Sequence, residues 1–141
     1  MTGRPDAAYP FDARTAELAA NVTGVLDRVR RACDACGRDP AGVTIIAVTK
    51  FFPAADVRAL ADLGELDLGE NRDQEASERF RQVRRDARYA ALRLHFIGQV
   101  QTNKTASVAA YADAVHSVDR IKLARALNRG CLLYTSPSPR D

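Results

Sequence analysis

The sequence predicts an α/β protein built on a parallel sheet, and three observations carry that prediction. Short apolar or β-branched runs recur at intervals of roughly 20 to 27 residues along the 141-residue chain. The stretches between them repeat apolar residues at three and four, the period of a helix packed on one side. Strands alternating with helices in this way form βα units, whose strands run parallel and are covered on both faces. The length suits one domain with a real core.

Residues Met1 to Phe11 read as a loose tail. From Asp12 to Gly37, the residues Leu18, Val22, Val25, Leu26, Val29, Ala32, Cys33 and Cys36 make one stripe of an amphipathic helix. Asp12 is its expected cap and Gly37 its expected stop. Arg28, Arg30 and Arg31 fall off the stripe and stay wet. Cys33 and Cys36 have the C-x-x-C spacing of a redox pair or half a zinc site. They lie on the apolar stripe and no second cysteine pair exists, so they read as thiols packed inward, with no metal centre.

The run Val43 to Lys50 is the first strand, bounded by Asp39-Pro40-Ala41-Gly42 in front and Phe51-Phe52-Pro53 behind. Lys50 ends it on the side where α/β sheets bind ligands. As a residue it has two readings. It is either a solvated lysine ending a strand, or an amine at a pocket mouth where desolvation favours the uncharged, nucleophilic form.

Pro53 opens a second helix with Val57, Leu60, Ala61 and Leu63 on its apolar face, ending at Gly64. Glu65 to Asn71 is the second strand. A helix from about Arg72 to Tyr89 carries Arg81, Arg84, Arg85 and Arg88 on one side. Interleaved with Glu75, Glu78 and Asp86, these read as a solvated face, with a nucleic-acid backbone patch as the minority alternative. Leu92 to Gly98 is the third strand, followed by the loop Gln99 to Lys104 and a helix to Ala110. Ala114 to Val118 is the fourth, and Asp119 caps a last helix from Arg120 to about Asn128. Functional side chains are expected where the strands end: Lys50, Asn71, the Gly98 to Lys104 loop, and Ser117 to Asp119.

A net charge of +3 demands no nucleic-acid partner, and no apolar run approaches a membrane span. Met1 to Tyr9 lacks the apolar centre of a secretion signal, so the expected address is cytoplasmic.

Motifs at the ends of successive strands carry a family resemblance. They are Ile46-Ala47-Val48-Thr49-Lys50, then Leu68-Gly69-Glu70-Asn71 with Gln74-Glu75, then the string from His95 to Lys104, then His116-Ser117-Val118-Asp119-Arg120. The set resembles the pyridoxal phosphate homeostasis proteins, the YggS-like family related to the amino-terminal barrel of alanine racemase, over about residues 12 to 129. The resemblance implies a partial (β/α)8 TIM-type barrel, about four parallel strands with an added N-terminal helix. It implies pyridoxal 5′-phosphate held as a Schiff base on Lys50, with Thr49 where the family commonly has Ser. It places Asn71, His95, Asn103, Lys104, His116 and Ser117 near the cofactor face. His95 is equally readable as a packed, hydrogen-bonded imidazole, and Asn103 and Lys104 as a helix cap covering the rim. Family members carry or regulate the cofactor without established turnover, and apo enzymes that use it are the implied partners. A racemase-like enzyme is the alternative, although it would need a second catalytic group from another domain; an inert fragment is the other.

Residues 12 to 130 are thus expected to form the N-terminal half of a cofactor-binding barrel. Cys131 to Asp141 resembles nothing in the family, and Ser136-Pro137-Ser138-Pro139 cannot be a central strand. That segment is expected to be a disordered, foreign tail. The loops after strands seven and eight that often hold phosphate would then lie outside this chain.

Overall fold

The computed structural model describes residues 13–134. The first tail, the cap Asp12 and the Ser-Pro-Ser-Pro run lie outside the described residues. The chain divides into two compact units, one up to Thr44 and one from Ile45 onward.

The first unit holds helix α1 (Ala13–Cys36) and a 3-10 turn at Pro40–Gly42. Gly37 takes φ 71° and Arg38 N donates to Cys33 O at 2.9 Å, the left-handed ending that a residue without a Cβ adopts freely. Asp39 starts the 3-10 turn by accepting from Ala41 N at 2.9 Å. The cysteine reading holds for one thiol only. Both are free, with Cys33 buried and Cys36 exposed at the last helical residue, its Sγ toward Cys33 O at 3.5 Å. Val25 and Leu26 on the same stripe are 44% and 48% exposed. The helical period names the apolar face, and it does not supply a cover for it.

The second unit is a four-stranded parallel sheet in the order β1 (Ala47–Val48), β2 (Asp67–Glu70), β3 (Arg93–Phe96), β4 (Ala114–Val115). Each strand is followed by a helix: α2 (Ala54–Asp62), α3 (Asp73–Arg84), α4 (Thr105–Tyr111) and α5 (Ile121–Tyr134). These are successive βα units in sequential order, a partial barrel of the (β/α)8 type. β1 and β4, at the edges, ladder over two residues each, far less than their apolar runs predict. An edge strand has a neighbour on one side only, so residues beyond the shared register go unpaired.

Parallel pairing puts alternate residues on opposite faces. Leu68, Leu94 and Phe96 face the helices, and Phe96 joins Val100, Val108, Leu123 and Leu127 in one buried cluster. Gly64, at φ 91°, ends α2 where expected. α3 stops at Arg84, and a 3-10 turn at Ala87–Tyr89 takes up the rest of the expected helix. α5 runs past Asn128 to Tyr134, into the stretch read as tail. Gly130 is therefore an internal helical residue; a Cβ there would stand 2.8 Å from Ala109 Cβ on α4. Its small size lets the two helices approach.

The solvated-arginine reading fails for Arg84. Its guanidinium donates to Tyr111 O at 2.8 Å, Leu92 O at 3.1 Å and Asp113 Oδ2 at 2.7 Å, tying α3 to the segments around β3 and β4. Asp113 also accepts from Leu94 N at 2.7 Å. Arg88, on the 3-10 turn, pairs locally with Asp86.

Candidate functional site

Ladder bonds continue one residue past three strands. Thr49 N donates to Gly69 O at 3.0 Å, Ile97 N to Glu70 O at 2.8 Å, and His116 N to Phe96 O at 3.0 Å. The register therefore defines a row Val48–Gly69–His95–Ala114 on the face away from the helices. Continuing it gives a second row on that inner face at the strand ends: Lys50, Asn71, Ile97 and His116. Gly69 confirms the sidedness, since a Cβ there would meet Ile46 Cγ2 at 3.1 Å and Ile97 Cδ1 at 3.4 Å.

Lys50 is half-buried on the turn Thr49–Phe52, closed by Phe52 N donating to Thr49 O at 3.1 Å. Phe51 takes φ 68° in that turn, a left-handed conformation unusual for a bulky residue and the kind that gathers at functional sites. Its ring lies 5.9 Å from Lys50 Nζ and 4.8 Å from the Arg72 guanidinium carbon. Beneath the turn, Thr49 Oγ1 donates to Glu70 Oε1 at 2.8 Å, and Arg79 pairs with the same oxygen. Thr49 and Glu70 are both buried, so the base of Lys50 is fixed to β2 and α3.

Asn71 follows β2, and its buried Oδ1 has no hydrogen-bond partner among the described residues. Gly98 approaches it closely: a Cβ at Gly98 would meet Asn71 O at 2.8 Å. A cleft of about 360 Å³ opens here, lined by Asn71, Asp73, Gln99, Gln101 and Lys104 among others. Lys104 is exposed and occupies the N-cap position of α4 without a side-chain cap bond. Asn103 is exposed in the 3-10 turn Thr102–Lys104. Ser117 Oγ donates to Ile97 O at 3.2 Å and lines a smaller cleft of about 190 Å³ with Gln101 and Asp119.

His95 and His116 meet directly, Nδ1 to Nε2, at 2.9 Å. His95 Nε2 lies 2.8 Å from Asp67 Oδ1, and Arg93 grips Asp67 with two bonds of 2.8 and 2.7 Å. The Arg93 guanidinium, followed by the His95 contact, holds the Asp67 carboxyl down at about 2 against the weaker opposing effect of burial.

Of the seven residues expected at the site, the structure joins His95 to His116 and sets Asn71 beside Lys104. It puts Lys50 and His116 in one row, leaves Asn103 exposed and turns Ser117 onto a backbone carbonyl. Asp67, Arg79 and Arg93 escaped the sequence reading, and Glu70 entered it only within the motif Leu68-Gly69-Glu70-Asn71. Asp67 and Glu70 sit four and one residues before the Asn71 already singled out, and an acid at a buried strand position is the signal that could have found them.

No protein-family model matches the chain. Pyridoxal phosphate homeostasis proteins do. The one from Pseudomonas aeruginosa PAO1 is 45% identical over 113 residues, covering 79% of this chain and 46% of that protein. That of Mycobacterium tuberculosis H37Rv is 38% identical over 128 residues, covering 86% and 49%. Among solved structures, a protein of unknown function from Bifidobacterium adolescentis matches with TM-score 0.78 and 35% identity, over 86% of this chain and 52% of that one. PipY of Synechococcus elongatus PCC7942, solved with pyridoxal phosphate bound, matches with TM-score 0.60 and 33% identity, over 72% of this chain and 47% of that one. The chain spans about half the length of these relatives. Over the residues it shares with them, the chain is similar to the pyridoxal phosphate homeostasis proteins.

Proposed function

We propose that the chain binds pyridoxal 5′-phosphate through Lys50 and serves the homeostasis of that cofactor in the cytoplasm, with apo enzymes that use it as receivers. The binding part lies within residues 12 to 130. One observation carries the reading: a primary amine on a strained turn at the end of β1, in the same inner row as Asn71 and His116. The relatives' names and the pyridoxal phosphate held by PipY support it. Among the described residues no helix is long and apolar enough to cross a membrane.

The residues present fit the group. When bound, pyridoxal phosphate supplies an aldehyde that condenses with a primary amine. Lys50 offers that amine, and the Thr49–Glu70–Arg79 brace holds its backbone still. Asn71 Oδ1, buried and lacking a donor, suits the polar edge of a heteroaromatic ring. The Phe51 ring lies over the Lys50 ammonium and orients it.

Mixing the protein with pyridoxal phosphate should raise an absorbance band near the visible. Borohydride reduction should then fix the added mass on the peptide containing Lys50, and Lys50→Ala should abolish both. A band and label unchanged in Lys50→Ala would refute the assignment.

A further inference from the structure

The inner face of the sheet carries a connected polar chain from Arg93 through Asp67 and His95 to His116. Asp67 is 7% exposed at one end, and His116 is exposed at the other. Resting on the cofactor reading above, we propose that His95 and His116, oriented by Asp67, form a one-proton store that makes the hold on an anionic aldehyde depend on pH.

Tautomer logic supports the store. An ionised carboxylate only accepts hydrogen bonds, so His95 keeps its proton on Nε2, facing Asp67 Oδ1 at 2.8 Å. Its Nδ1 then meets His116 Nε2 across 2.9 Å, where a single hydrogen fits. In the neutral pair His116 donates to His95. One added proton enters at the remaining nitrogen of the exposed His116, and the bond between the rings survives. A second would set two N–H groups against each other across 2.9 Å, with the ring centroids 5.1 Å apart, and the bond is lost. Uptake therefore belongs to the pair and not to either ring alone.

The charges facing the pair make its proton decisive. Asp67 approaches from β2 and Arg93 from β3, and they cancel each other. Asp113, ahead of β4, acts on Arg93. Lys50, after β1, stands in the same row as His116. Three strand spacings separate them, about 14 Å along the sheet. Histidine gains and loses its charge in the physiological range, so the inner face turns positive as the pair takes its proton. Over that distance one charge alters the affinity for a phosphate ester by roughly two- to tenfold.

The chain contains two histidines, so the ring nitrogens of tag-free, 15N-labelled protein report the pair without overlap. Without cofactor, both rings should titrate in two linked steps. His116→Gln, at an exposed position, should reduce His95 to a single step, and Asp67→Asn should move both steps. Independent single-step curves, unaffected by either substitution, would overturn the store and leave the cofactor reading standing. With cofactor, the affinity ratio of pyridoxal phosphate to phosphate-free pyridoxal should rise about two- to tenfold from pH 8 to 6 relative to His116→Gln. An equal ratio in parent and variant would overturn the role assigned to the store. Linked titration with no capture of either aldehyde at any pH would overturn the cofactor reading and, with it, this role.

Discussion

Glu70 offers the sharpest test of how the rim is held. Its side chain is wholly buried, Thr49 Oγ1 donates to it at 2.8 Å, and Arg79, with a side chain 12% exposed, pairs with the same oxygen. Glu70→Ala strips the acceptor from a buried hydroxyl, which costs about 1–3 kcal/mol. It also leaves a nearly buried guanidinium unpaired, and breaking a buried pair from one side costs about 3–5 kcal/mol. Both losses flow from one carboxylate and overlap, so the whole effect should be about 3–5 kcal/mol. With a urea dependence of about 1.5 kcal/mol/M, the unfolding midpoint should fall by about 2–3 M. Thr49→Val, which removes one bond to a charged group, should cost about 1.5–2 kcal/mol. The double variant Glu70→Leu with Arg79→Met should recover most of the loss, because the pair's desolvation vanishes along with its attraction. Urea unfolding of the four proteins measures all of this. A cost below about 1 kcal/mol for Glu70→Ala, or a double variant no more stable than Glu70→Ala, would refute the brace.

Three other outcomes are expected. Asp67 has its carboxyl lowered from 3.8 to about 2, so the unfolded chain binds the proton more readily; the stability it contributes is present above pH 4 and is lost as pH falls toward 2. Because the Arg93 side chain is 61% exposed, solvent screening cuts that contribution to about 1 kcal/mol, and Asp67→Asn should flatten the stability curve in this acid window. Gly98→Ala should cost about 1–3 kcal/mol in denaturant unfolding, because its methyl would stand 2.8 Å from Asn71 O and the neighbouring backbone must move. Phe51→Gly relieves a left-handed φ of 68° at a residue 64% exposed and should stabilise the chain by about 0.5–1 kcal/mol. The same substitution frees Lys50 from the ring and should slow borohydride-trapped labelling; a fall in the thermal midpoint would show that stacking outweighs backbone strain.

Much of the architecture was legible from residue order. The alternation of strand and helix, the stops at Gly37 and Gly64, and a lysine closing the first strand all follow from short-range rules of period and turn chemistry. Composition alone leaves the remainder open, because it rests on partners far apart along the chain. His95 reaches Asp67 across 28 residues, Arg84 reaches Asp113 across 29, and Thr49 reaches Glu70 across 21. An arginine or a buried acid carries no local mark of whether it meets water or a partner. Strand length departs from the apolar pattern for the same reason: the runs around Ala47 and Ala114 are apolar enough for longer strands, yet each has one neighbour to ladder with. Local periodicity sets which residues can share a face; folding settles which of them touch, because hydrogen bonds and ion pairs form only where the sheet's register brings the two groups within reach.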